Sequence, residues 1–387
     1  IPPSRMNSKV GEMLPAAAPP LDDENLLSEI LLRIPPLPSS LPRASLVCKR
    51  WRRIVSDTRF LRRFRLHHRR CPPLLGYFIH DRRGISYAPA VDSPDRVPAG
   101  RFSFQLDDSH SFCLLGCCHG LALIFLASRK QVLVWDPVTS DQHRIAVPSV
   151  FDVDENPIHG AVLRAAGEVG HFQVVLVEAS GVDEQHTRMV ACVYSSETGV
   201  WGNLTSTSVQ PEGTSSLYFT GMPSVLVGSS LYMPLVGDFV GILEFNLERH
   251  SLAVIQVPVD MFESDINFAV MRGDGAGLGL IILSGCNAQL WKRETDFDGV
   301  ASWGMRTTIE LDKLLSLHSE KERGALAILG FAEENNVVFL SAVDGVFMVQ
   351  LEPLQFKKLH VSRNWLYHYP FESVYTAGNS MPLPFNT

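Results

Sequence analysis

Long apolar runs are missing from this 387-residue chain. The densest stretches, such as Leu121 to Ala127, fall far short of the ~18 residues a membrane span needs. A paired cysteine framework is missing too. The seven cysteines are an odd number and Cys117 and Cys118 are adjacent, which fits a reducing cytosol or nucleus and makes a cytoplasmic or nuclear location the expectation. With 28 glycines and 25 prolines, the composition excludes a collagen-like or low-complexity chain. No Walker sequence, Gly-x-Ser-x-Gly elbow or His-Glu-x-x-His pair occurs. Cys113, Cys117, Cys118 and His119 lack a second ligand pair at zinc spacing and read as buried structural thiols. Gly273, Gly275, Gly277 and Gly279 have the wrong spacing for a dinucleotide loop. The acid pairs Asp107-Asp108 and Glu333-Glu334 sit in turn-like contexts and read as solvated. These absences predict a chain with no catalytic residues, no cofactor and no metal.

Acidic residues are nearly missing from one segment only. Residues 43–70 hold 11 Lys or Arg against the single acid Asp57, a net of +10. From residue 71 onward the net is −15, so the overall −7 conceals two regions of opposite sign. A basic run can hold nucleic acid. Here no nucleic-acid signature accompanies it, and its aromatics Trp51, Phe60 and Phe64 fall at apolar helix positions. A solvated face or a surface for an acidic partner is the preferred reading, with nucleic-acid binding through 43–70 as the alternative.

Residues 1–20 are rich in Pro and Ala, carry no apolar signal segment and read as a flexible lead-in. A helical pattern follows. Asp22 or Asp23 can cap a helix, and Leu26, Leu27, Ile30, Leu31 and Ile34 line one face of it. Pro35 and Pro36 end it. A second helix begins near Ser39 or Ser40, and Leu41, Ala44, Leu46, Val47, Trp51, Ile54 and Val55 supply its apolar side. A third turn or helix after Asp57 carries Phe60, Leu61 and Phe64. About 40 residues cannot bury enough surface to stand alone, so this module needs a neighbour.

The run LDDENLLSEILLRIPPLPSSLPRASLVCKRWRRIVSDTRFLRRF resembles an F-box, through Leu26, Glu29, Ile30, Leu31, Ile34, Pro35, Leu41, Arg43, Val47, Cys48, Lys49, Trp51 and Phe60. It departs from the family pattern at its start, where Pro20-Leu21 replaces Leu-Pro. The resemblance implies docking to a Skp-family linker and through it to a cullin. The implied contact residues are Leu26, Leu27, Ile30, Leu31, Ile34, Pro35, Leu41, Leu46, Val47, Cys48 and Trp51. Trp51 is the foremost anchor, or else a core residue joining the helices.

After Pro73 short runs of Val, Ile, Leu, Phe and Tyr alternate with Gly, Asp, Asn and Pro turns. Asp344-Gly345 marks a hairpin. One strand–turn–strand unit recurs with marker residues Trp135, Tyr194, Phe245, Trp291 and Val349, at intervals of 46 to 59 residues. That period predicts a β-propeller of about six blades over residues 71–387, with a pair of β-sandwiches as the alternative. The segment LLGCCHGLALIFLA followed by VLVWDPVTSDQHRIAVP resembles the opening of plant F-box-associated propeller domains, through Gly116, Cys118, Gly120, Leu121, Trp135, Pro137, Thr139 and Pro148. Asp136 stands where that family commonly has Asn. Tyr369 to Thr376 resembles the closing segment of large plant F-box families.

The expected architecture is a small all-α F-box module of about three short helices over 21–66, followed by a large all-β, kelch-like propeller over 71–387. The resemblance implies a non-catalytic, substrate-receiving subunit of a Skp–cullin–F-box ubiquitin ligase. The propeller would bind a target protein that the sequence does not identify.

Overall fold

The computed structural model describes residues 23–376 apart from 82–83, 103, 105–111, 154–155, 165–169, 184–185, 210–217, 238–239, 258–266, 274–276, 296–297, 318–325, 344 and 360–366. The lead-in, Leu21, Asp22, Asp107-Asp108, Gly275 and Asp344 lie outside the described residues.

The N-terminal module has four helices rather than three: α1 (Glu24–Leu32), α2 (Ser40–Ser45), α3 (Lys49–Val55) and α4 (Thr58–His67). Asp23 caps α1 by accepting the amides of Asn25 and Leu26, and Asp57 caps α4 in the same way at Arg59 and Phe60. The expected second helix divides because the chain tightens after Ser45. The amides of Leu46 and Val47 turn back to Arg43 and Ala44, and Cys48 is fully extended before α3 begins. Leu27, Leu31, Leu32, Leu41, Ala44, Ile54, Val55, Phe60 and Phe64 form the module's core, joined by Val374 from the far end of the chain.

The remainder is a six-bladed β-propeller. The first blade joins both ends of the domain, with Leu74–Asp81 paired between Gly84–Pro89 and the C-terminal strand His368–Glu372. The second is a meander of Phe112–Cys118, Leu121–Leu126, Gln131–Trp135 and Gln142–Ala146. The third runs Ile158–Arg164, Phe172–Asp183, His186–Ser195, and then Val200–Trp201 and Thr205–Val209 on the outer edge. In the fourth, Tyr218–Phe219 and Val225–Val227 both pair with Ser230–Val236, followed by Gly241–Asn246 and Ser251–Gln256. The fifth and sixth are four-strand meanders over Asn267–Gly273, Gly277–Ser284, Asn287–Thr295 and Ala301–Glu310, and over Ala327–Ala332, Val337–Ala342, Gly345–Gln350 and Gln355–Leu359.

A separate apolar cluster fills each gap between neighbouring blades, around the ring and back to the first. Blades that bury both faces in this way have strands such as Leu121–Leu126 and Val337–Ala342 that are buried along their whole length. The five marker residues Trp135, Tyr194, Phe245, Trp291 and Val349 all sit on the third strand of their blades. The first blade has no marker because it is assembled from the two ends.

Two tryptophans hold outer edges together. The indole of Trp201 donates to the Ala146 carbonyl of the preceding blade, and that of Trp303 to Gln256, each at 2.9 Å. Both acceptors are the last residue of the neighbouring outer strand. At the closure the backbones approach so closely that a Cβ on Gly330 would lie 2.1 Å from the His368 carbonyl oxygen. Only glycine fits there.

Candidate docking face and channel mouth

The expected linker contacts separate into two sets. Leu27, Leu31 and Leu41 are buried in the module's own core, and Ile34 and Trp51 pack partly buried against it. Leu26, Ile30, Leu46 and Val47 remain 43%, 40%, 58% and 60% exposed, and Pro35 and Cys48 are exposed as well. Leu26 and Ile30 form one i, i+4 ridge on α1, while Leu46, Val47 and Cys48 occupy the joint between α2 and α3. The core is complete without these side chains, so their apolar surface is surplus to the module's folding.

Several members of the basic run are engaged within the module. Arg53 meets Glu24 at 2.8 Å, and Arg63 meets Glu29, which also holds Arg33. Arg63, chiefly by its hydrogen bond, lowers the Glu29 carboxyl below its ordinary range. Trp51 therefore acts as a partly buried prop of the core, and part of the basic run pins α3 and α4 onto α1.

The module is fastened to the propeller at one end of the ring. Val374 completes its core, Arg65 donates to the Thr376 hydroxyl at 3.1 Å, and the Ser39 amide donates to Asp95 at 3.0 Å. The inner strands of the blades finish at this end, at Cys118, Arg164, Gly273, Ala332 and Glu372. The opposite rim carries their starts, at Phe112, Ile158, Asn267, Ala327 and His368.

The residues that follow or finish those strands make a charged mouth. Arg272 reaches Glu333 and Glu334 at 3.5 and 3.1 Å. Glu372 accepts from the Asn335 amide and side chain at 2.9 and 2.7 Å, and Asn335 also donates to the Pro72 carbonyl in the link between the modules. Burial pushes the Glu333 carboxyl up to about 8 and that of Glu372 up to about 7. The pair Glu333-Glu334, read from sequence as solvated, is thus drawn into the mouth, because the strand before it ends at the ring's centre. Cys117 and Cys118 line the same mouth with thiols pushed up by burial, while Cys113 keeps surface exposure. The reading of all three as buried thiols thus holds only in part, with Cys117 and Cys118 half-buried and Cys113 exposed.

Farther along the channel the interior is filled. Tyr369 donates to the Gly221 carbonyl from across the ring at 3.3 Å, and buried His159 contacts the Ser224 hydroxyl. Burial lowers His159 to about 4, so it is neutral. Among the described residues no group of three or more His, Cys, Asp or Glu is placed to hold a metal ion. No helix among them is long and apolar enough to cross a membrane.

The roles of Val374, Thr376, Glu372 and His119 had no local signal beyond membership of the two recognised segments. The Trp brackets had one, the repeated Val-Trp-Gly and Ser-Trp-Gly at Trp201 and Trp303.

Residues 113–375 match the family model described as F-box protein AT5G49610-like, beta-propeller, and residues 24–67 match the one described as F-box-like. No curated protein matches the chain. Similar solved structures include a puromycin-hydrolyzing peptidase of Mycobacterium tuberculosis, at 10% identity over 65% of this chain and 39% of that one, with a TM-score of 0.35. An aldose sugar dehydrogenase from Streptomyces coelicolor is another, at 12% identity over 64% and 80% of the two chains, with a TM-score of 0.34. The chain spans about two fifths of the peptidase's length. Since the first family model covers well over half of the sequence and the second covers the helical module ahead of it, this chain belongs to the F-box proteins with an AT5G49610-like beta-propeller.

Proposed function

We propose that this chain is the target-receiving subunit of a Skp–cullin–F-box ubiquitin ligase. A family that joins an F-box to a β-propeller supports a substrate-recognition adaptor, and it suggests a non-catalytic one. The observation that carries the linker half of the reading is the surplus apolar surface of Leu26, Ile30, Leu46 and Val47 on a module whose core is already complete. A linker helix laid against that surface would bury it. The propeller holds the target, and the rim opposite the helical module, where the inner strands start, is the end assigned to receive it. The chemistry belongs to other subunits, and this chain contributes proximity.

Co-purification of the full chain with a Skp-family linker tests the reading. Ile30→Asp and Val47→Asp place a charge in the surplus surface without touching the core, and each is expected to weaken linker capture by about tenfold or more. Circular dichroism should show both variants folded. Wild-type levels of capture by both variants, or no capture by the unaltered chain, would refute the docking assignment.

A further inference from the structure

A cleft of about 200 Å³ lies between α4 and the propeller, and both sides contribute cationic groups to it. Arg65 and Arg69 enter from α4 and the turn after it. Arg164 enters from the end of the inner strand of the third blade, and His119 stands beside it. These residues are brought together only by the docking of the two modules.

Of the acids along the same wall, Asp136 is matched by a cation, and Asp141 and Glu372 accept from neutral donors. Asp136 receives Arg164 at 2.7 Å on Oδ2 and the amides of Val138 and Thr139 at 3.0 and 3.2 Å on Oδ1. The Thr139 hydroxyl donates to Asp141 at 2.8 Å, and the Glu372 carboxylate accepts from Asn335 and from the Glu334 amide. Arg65, by contrast, places one Nη on a neutral hydroxyl, that of Thr376.

His119 adds a donor of fixed sense. Its Nδ1 accepts the Arg164 amide at 3.2 Å, which leaves the proton of the neutral ring on Nε2. Burial first, and then the positive field of Arg69, Arg164 and Arg272, lowers this histidine to about 4. A field that discourages protonation of a histidine draws in anions.

We propose that this cleft binds a small phosphate-bearing polyanion, held by Arg65 and Arg69 on the helical side and by His119 on the propeller side, with Arg164 fixed beside it by Asp136 and the His119 carbonyl. Guanidinium groups match phosphate oxygens two at a time. The space exceeds the ~150 Å³ of a cavity that takes up a benzene ring, so it has room for more than one free phosphate ion. Bound there, it would tie the helical module to the propeller and stiffen their relative orientation. This reading does not depend on which linker or target the chain engages.

Isothermal titration of the full chain with inorganic phosphate, pyrophosphate and a sugar bisphosphate tests the proposal and separates free phosphate from phosphorylated compounds. Saturable one-site binding is expected for pyrophosphate or the sugar bisphosphate, and weaker binding for inorganic phosphate. Arg65→Ala and Arg69→Ala should each weaken it by about tenfold or more. Arg59→Ala, on the exposed side of the same helix, should leave it within about twofold. Absence of saturable binding by the wild-type chain to all three probes would overturn the proposal, whatever the folding of the variants. So would an Arg59→Ala effect as large as that of Arg69→Ala, which would mean a diffuse basic surface.

Discussion

The helical module and the propeller solve the problem of burying apolar surface in opposite ways. The module has one small core, borrows Val374 to complete it, and leaves Leu26, Ile30, Leu46 and Val47 on its surface. The propeller divides its core among six gaps between blades and closes the ring by pairing residues 74–81 with 368–372. The difference teaches that stability and association are assigned to separate regions. The propeller is complete through contacts distant in sequence, whereas the module keeps apolar surface in reserve for a partner.

The largest effect is expected at the closure. Phe371 is fully buried among Phe78, Tyr87 and Phe102 where the first blade meets the second. Phe371→Ala should cost about 3–5 kcal/mol in urea unfolding of the propeller. A cost within about 0.5 kcal/mol, as at a surface site, would show that the ring does not depend on its last strand.

Leu31→Ala in the module should cost about 2–5 kcal/mol, but locally. Hydrogen exchange would then show protection lost in α1, α3 and α4 while the blades keep theirs. Equal loss in both regions would mean that Val374 and Arg65 make them one cooperative unit, and the contrast drawn above would fall.

The smallest expected effect separates the regions by pH. Glu333 has its folded value raised to about 8 from an ordinary 4.5, and burial is the main cause. The folded chain thus holds a proton that the unfolded chain has released, so its contribution is fully present below about pH 4.5 and is lost as pH rises toward 8. Glu372, raised to about 7, acts in the same direction. Buried His119 and His159, lowered to about 4, act in the opposite direction up to about 6.5, so the propeller's denaturation midpoint should fall between about pH 6.5 and 8, and Glu333→Gln should flatten that decline. Parallel curves for the two proteins would exclude Glu333 as the source. The module should not share this decline, since Arg63 holds Glu29 ionised and burial lowers His68 below its ordinary 6.5, which costs the module stability as pH falls rather than as it rises.

Much of this molecule was legible along the chain. The i, i+4 spacing of Leu27 and Leu31, the cap at Asp23 and the restart of the helix after Asp57 are local, and all three appear as expected. The recurring markers gave the blade period because each occupies the same strand of its blade. Other features were not legible. Apolar residues at neighbouring positions, Leu26 and Leu27 for example, read alike in sequence, yet one is exposed and the other buried. The split at Cys48 was hidden because its two sides continue one helical period. Glu333-Glu334 looked solvated because nothing local says that the strand before it ends at the centre of a ring.

Composition, period and capping chemistry by themselves determined the two modules, their order, their opposite charge and the class of each. Those properties depend on neighbours within a turn or a hairpin. Tertiary structure alone decided which leucines stay outside, which strand closes the first blade, and that Arg65 meets Thr376 across 311 positions of sequence. It also gathered Arg69, Arg164 and His119 around one cleft. These outcomes follow from packing between segments that no local propensity relates, since only the closed ring brings the two ends of the chain beside each other.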